Sequence, residues 1–145
     1  MGEFRTAATL DALGAIGTFV VDAARDAGLP SRAANRLRLA IDEMATNIIV
    51  HGNPLEHSGD DEIRFVAEID KERLTITMED RGPEFDPRAH ALPVDHLTRS
   101  LEERPLGGLG VFLAVRSVDS FDYARVGDIN RCTFVVNRTA VENVR

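Results

Sequence analysis

Along residues 9 to about 27, Leu10, Leu13, Ile16, Phe19, Val20 and Ala23 recur at helical spacing. Thr9 stands as an N-cap and Gly28 as a terminator, so the pattern predicts a first helix. Pro30 and Ser31 open a second helix whose apolar stripe is Leu37, Ile41, Met44 and Ile48, and Gly52-Asn53-Pro54 closes it. Both stripes need a sheet to cover. Ile63, Phe65, Ala67 and Ile69 alternate with polar neighbours, and Leu74, Ile76 and Met78 do the same beyond a short turn at Asp70-Lys71-Glu72, which predicts an antiparallel hairpin. From Gly82 to Gly108 the periodicity fails, with Pro83, Pro87, Pro93 and Pro105 among charged residues. A loop of that length in a compact domain is read as a lid over a ligand, from about 83 to 106, with room for one short helix. Val111, Phe112, Val115 and Val118 predict a third helix, and SFDYARVG with INRCTFVVNR a closing hairpin around Gly127-Asp128.

No repeat, linker or low-complexity tract interrupts this order. The expected architecture is therefore a single domain over residues 1–145: an α/β, two-layer sandwich whose mixed, mainly antiparallel sheet is covered by helices on one face. The chain's 145 residues, 43% hydrophobic and 28% charged, suffice for one self-standing core. A formal net charge of -7 argues against direct binding to nucleic acid or an anionic membrane surface, both of which need a basic face. With Cys132 as the only cysteine, there is no intrachain disulfide or thiolate metal cluster, and a reducing cytoplasm is the expected location. The start MGEFRTAATL lacks the pattern of a signal peptide, no stretch approaches the roughly 20 apolar residues of a membrane helix, and Met-Gly alone is weak grounds for myristoylation.

Candidate chemistry begins on the second helix. Residues four apart lie above one another, so Glu43, Asn47 and His51 share a face beside the apolar stripe. Mg²⁺ takes oxygen ligands and keeps several waters, so one Asn oxygen with phosphate oxygens can fix it, leaving Glu43 free as a base. Glu and Asn at this spacing are also common on solvated helix faces, and a His in the last turn suits the helix dipole. The second group is Asp80-Arg81-Gly82 at a strand end. A buried Asp accepts a hydrogen bond from the amine of adenine but meets a carbonyl in guanine, and a glycine lets the backbone approach a flat ring. Asp-X-Gly is equally an ordinary strand-ending turn. The third is Gly107-Gly108-Leu109-Gly110 before an apolar helix, where exposed N–H groups and the helix N-terminus favour phosphate. Each piece is only moderately specific by itself.

Their order resembles the gyrase, histidine kinase and mismatch-repair ATPase superfamily, and within it the small bacterial anti-sigma factor serine/threonine kinases. The resemblance runs over nearly the whole length: LRLAIDEMATNIIVHGN as the N-box, MEDRGPEFDP as the first glycine box, RPLGGLGVFLAVRSVD as the second, and RCTFVV as the closing strand. It implies a histidine-kinase-like ATPase fold, ATP with Mg²⁺ beneath a mobile lid, and phosphoryl transfer to a serine or threonine of an antagonist. The implied partners are a sigma factor and an anti-anti-sigma protein, and the implied assembly is a homodimer. Residue by residue it makes Asn47 the magnesium ligand, Glu43 the group that orients or deprotonates the acceptor hydroxyl, and Asp80 the adenine reader. Gly82, Gly108, Gly110 and Thr133 would shape the pocket, Thr133 in the place of the family's adenine-side threonine. The sequence departs from the common first box at Glu84, where a second glycine is usual, which bears on the lid's hinge. Arg104 meets phosphate or is simply solvated.

A histidine kinase needs a further helical hairpin bearing its phosphorylated His, and the predicted fold leaves no room for one. A zinc site from His51, His57, Asp60 and Asp61 is set aside because short loop clusters of this kind are usually turn residues. No phosphate-binding loop ending in Gly-Lys-Ser/Thr occurs. The rival from another class is a nucleotide-gated binding module without kinase activity, which differs only in what Glu43 does.

Overall fold

The computed structural model describes residues 2–51, 62–86 and 114–138. Five strands form one sheet in the order β1-β2-β3-β5-β4: β1 Gly2–Ala7, β2 Glu62–Ile69, β3 Arg73–Asp80, β4 Ser120–Val126 and β5 Ile129–Asn137. All four pairings are antiparallel. Two helices, α1 (Leu13–Asp26) and α2 (Ser31–His51), cover one face. The expected two-layer sandwich is thus the observed architecture.

Period-two alternation fixes which side of each strand is buried. Ile63, Phe65 and Ala67 of β2, Leu74, Ile76 and Met78 of β3, and Cys132, Phe134 and Val136 of β5 point to the helices. Leu37, Ile41, Met44 and Ile48 of α2 meet them, with Ile16 and Val20 of α1. Gly17 is buried where the two helices meet, beside the exposed and flexible Arg38 side chain of α2. Phe4, Phe19 and Phe65 form a ring cluster that ties β1 and α1 to β2, with Phe4 and Phe19 stacked at 5.6 Å.

Strand β1 is not among the elements expected from the sequence. Its only large apolar residue is Phe4, and its alternation is carried by the outward Glu3 and Arg5. The first helix also starts later than the apolar pattern suggests. Residues Leu10–Ala12 form a 3-10 turn, Leu10 is exposed, and the Thr9 side chain makes no capping bond. Its end follows expectation: Gly28 has φ +76°, with Gly28 N–H bonded to Arg25 O and Leu29 N–H to Ala24 O. The β2–β3 turn is closed by Asp70, whose carboxylate accepts from the N–H groups of Glu72 and Arg73, both at 2.8 Å. Gly127, with φ +62°, makes the expected β4–β5 turn. Of the predicted third helix, residues 114–116 are described and helical. The terminator Gly52-Asn53-Pro54, the lid beyond residue 86 and the second glycine box lie outside the described residues.

Candidate functional site

The helix α2 presents Glu43 and Asn47 one turn apart. Asn47 is only 8% exposed, between Met44 and Ile48 of the core stripe, while Glu43 is half-buried. Asn47 Nδ2 donates to the Glu43 main-chain carbonyl at 2.9 Å. A carbonyl only accepts, so this bond fixes the amide with its nitrogen against the helix. Oδ1 is then the remaining face, and no described residue donates to it. A buried amide oxygen without a donor costs about 1–3 kcal/mol unless something external satisfies it. An oxygen-seeking cation is a chemical match.

At the end of β3, alternation turns the Asp80 carboxylate to the helix-covered face, where it is 7% exposed. Oδ2 accepts from Gly82 N–H at 2.9 Å and from Asn130 Nδ2 at 3.2 Å. Oδ1 has no donor among the described residues. Burial pushes the Asp80 carboxyl above the usual carboxylate range, although the Gly82 and Asn130 bonds and the charge of Arg125 pull the other way. Gly82 is required here by space rather than by backbone conformation, because a Cβ would lie 2.9 Å from Asp80 Oδ2. An adenine amine suits this cradle chemically: one buried acceptor oxygen has no donor among the described residues, and the other is held by two.

Asn130, absent from the residues picked out by motif, is the centre of this end of the sheet. It pairs with Asp80 in the β3–β5 register and is 4% exposed. Its Nδ2 also donates to Pro83 O at 2.9 Å and Gly82 O at 3.3 Å. Its Oδ1 accepts from Tyr123 Oη at 2.6 Å, Arg125 Nη1 at 3.1 Å and Phe85 N–H at 3.3 Å. Arg125 Nη1 reaches on to Gly82 O at 2.8 Å. The first residues of the predicted lid are therefore tied to β4 and β5.

The structure corrects one assignment. Thr133 pairs with Thr77 and stands on the open face of the sheet, with Arg131 and Val135, while Asp80, Asn130 and Cys132 occupy the covered face. One residue along a strand reverses the face, so Thr133 cannot share a pocket with Asp80. Gly108, Gly110 and Arg104 lie outside the described residues, as do His57 and Asp60 of the rejected zinc cluster. Among the described residues no group of three or more metal-ligating side chains occurs.

Residues 6–136 match the family model described as histidine kinase-like ATPase domain, and the chain belongs to this family. Family membership implies ATP binding. Among solved structures, the Acinetobacter baumannii histidine kinase AdeS aligns with a TM-score of 0.49 and 15% identity, over 95% of this chain and 68% of that one. No curated protein sequence matches. Among the described residues, no helix is long and apolar enough to cross a membrane.

Proposed function

We propose that this protein is an ATP-dependent anti-sigma factor that phosphorylates a serine or threonine of an anti-anti-sigma protein in a bacterial partner-switching pathway. The observation that carries the nucleotide half of this reading is the pair of buried oxygens that have no donor among the described residues, Asp80 Oδ1 and Asn47 Oδ1, on the helix-covered side of the sheet. Asp80 takes the adenine amine and Asn47 supplies an oxygen ligand to Mg²⁺. ATP with Mg²⁺ supplies the phosphoryl group and neutralises its charge. The protein-substrate half is supported by the N-box resemblance, which puts Glu43 one helical turn from Asn47. Glu43 orients the acceptor hydroxyl and takes its proton as the new oxygen–phosphorus bond forms and ADP leaves. The proposed setting is the cytoplasm, the proposed partners are the sigma factor and its antagonist, and the proposed assembly is a homodimer.

Phosphoryl transfer depends on positioning and charge neutralisation, so the two helix residues should fail differently. Asn47→Ala should lose both Mg-ATP affinity and turnover. Glu43→Ala should cut phosphorylation of the antagonist by about 10²–10⁴-fold while Mg-ATP affinity stays near wild type. Transfer from γ-labelled ATP to the purified antagonist, with calorimetry on the same samples, reads both. ATP-dependent binding of a sigma factor that Glu43→Ala leaves untouched, with no transfer by the wild type to any antagonist, would instead establish a nucleotide-gated binding module.

A further inference from the structure

We infer that Asn130, locked in one orientation by Tyr123 and Arg125, is the positioning residue that makes Asp80 an adenine-specific acceptor. This rests on the nucleotide reading of the site. The argument is one of hydrogen-bond polarity. The three neighbours of Asn130 Oδ1 are the Arg125 guanidinium, the Phe85 N–H and the Tyr123 hydroxyl. Two of these can only donate, so the amide oxygen must face them. The three neighbours of Nδ2 are the carbonyls of Gly82 and Pro83 and Asp80 Oδ2. Both carbonyls can only accept, so the nitrogen must face them.

A flipped amide would oppose like polarity on both sides, so its orientation is set by chemistry. Asp80 Oδ2 consequently meets two donors, from Asn130 and Gly82, and among the described residues it has no acceptor to which it could give a proton. That arrangement favours the ionised carboxylate against its burial and directs Oδ1 alone toward the base. The same amide holds the Gly82 and Pro83 carbonyls, so the backbone wall beside the base and the acceptor are set by one side chain. An aspartate in its place would turn a carboxylate oxygen on Asp80 and two carbonyls. Nothing in the Asp80-Arg81-Gly82 sequence contains this information, since Asn130 is 50 residues distant along the chain.

The test compares ADP with inosine diphosphate, which replaces the amine by a carbonyl, by calorimetry across pH 5 to 8. Wild type should prefer ADP by at least about tenfold, the worth of one good buried hydrogen bond. Asn130→Ala should bring the ratio to within about threefold, mainly by weakening ADP. Its ADP affinity should also fall off at a higher pH than in wild type, which a merely structural role would not cause. If Asn130→Ala does not fold, Tyr123→Phe serves: freed of this donor with no charge removed, the amide should lose part of the ADP preference with a pH displacement in the same direction. A wild type that prefers ADP and variants that keep both the preference and the pH profile would overturn this inference and leave the nucleotide site standing. A wild type that binds neither nucleotide would overturn both.

Discussion

Glu79 and Asp80 are consecutive acidic residues on β3, and the pleat sends them to opposite faces of the sheet with opposite consequences. On the open face, Glu79 accepts from Arg131 Nε at 2.7 Å and Arg64 Nη1 at 2.9 Å, and Arg64 Nε continues to Glu3 at 2.9 Å. Burial by itself would raise the Glu79 carboxyl, but the hydrogen bonds from the two arginines outweigh it and hold the group below its ordinary range. On the covered face, the direct partners of Asp80 among the described residues are an amide and a backbone N–H, and burial wins. One carboxylate has both oxygens bonded by cations and stitches β1, β2, β3 and β5 together. The other has one oxygen with no donor among the described residues, and its burial opposes the ionised form. A buried carboxyl perturbed in this way marks a candidate binding site.

The largest effect expected from breaking this contrast comes from Asp80→Asn. The Oδ2 position faces two donors, Gly82 N–H and Asn130 Nδ2, so the new amide must place its oxygen there and its NH₂ toward the base. A donor would then confront the adenine amine. ADP affinity should fall by about 10²-fold or more, and inosine or guanosine diphosphate, which present a carbonyl, should now be preferred. Calorimetry with the three nucleotides checks the inversion, and an adenine preference surviving in the variant would remove Asp80 from the base site. Stability should not drop with affinity. The folded pKa of Asp80 is raised, so its favourable contribution is complete below 3.8 and is lost as pH rises through the folded value. At neutral pH the variant should melt no lower than wild type.

How much of this was legible in advance divides along physical lines. The α2 stripe and the β2 and β3 alternation are periodic signals that survive in one dimension, and they place Glu43, Asn47 and Asp80 correctly on their elements. Strand β1 carries one large apolar side chain, and its identity as a strand depends on pairing with β2. Thr133 belongs to the RCTFVV motif, and a motif does not say on which side of the pleat a residue falls. Asn130 needs the β3–β5 register, a long-range fact. A partial signal exists, because Asn130 follows the Gly127-Asp128 turn closely and cross-strand counting sets it against Arg125.

The intermediate effect belongs to Glu79→Gln. It removes the charge that two arginines share but no group near the base, so it should cost about 1–2 kcal/mol of stability at pH 7, modest because both guanidinium groups are partly exposed. Nucleotide affinity should be unchanged. The Glu79 pKa is lowered on folding, so its contribution is present above 4.5 and is lost as pH falls through the lower folded value. Denaturant titrations of the two proteins should therefore differ at pH 7 and converge in strong acid. A constant difference across that range would mean that packing rather than charge explains the loss.

The smallest effect is expected at Thr133, and it tests the assignment of faces directly. Its register partners are Thr77 on β3 and Asp122 on β4, all on the side away from the helices. Thr133→Val keeps the β-branched shape, removes one hydroxyl from a partly exposed position, and should change stability by less than about 0.5 kcal/mol. If the sheet alternates as described, the hydroxyl has no path to a base held by Asp80 as proposed, and ADP and inosine diphosphate affinities should both stay within about twofold of wild type. A selective loss of ADP binding would require β5 to shift by one residue against β3. That slip would expose Cys132, Phe134 and Val136 on the open face and bury Arg131, so it would be visible at once as a cooperative loss of stability. Nucleotide selectivity and stability that both remain at wild-type values would therefore fix the register from which the Asp80–Asn130 pairing is read.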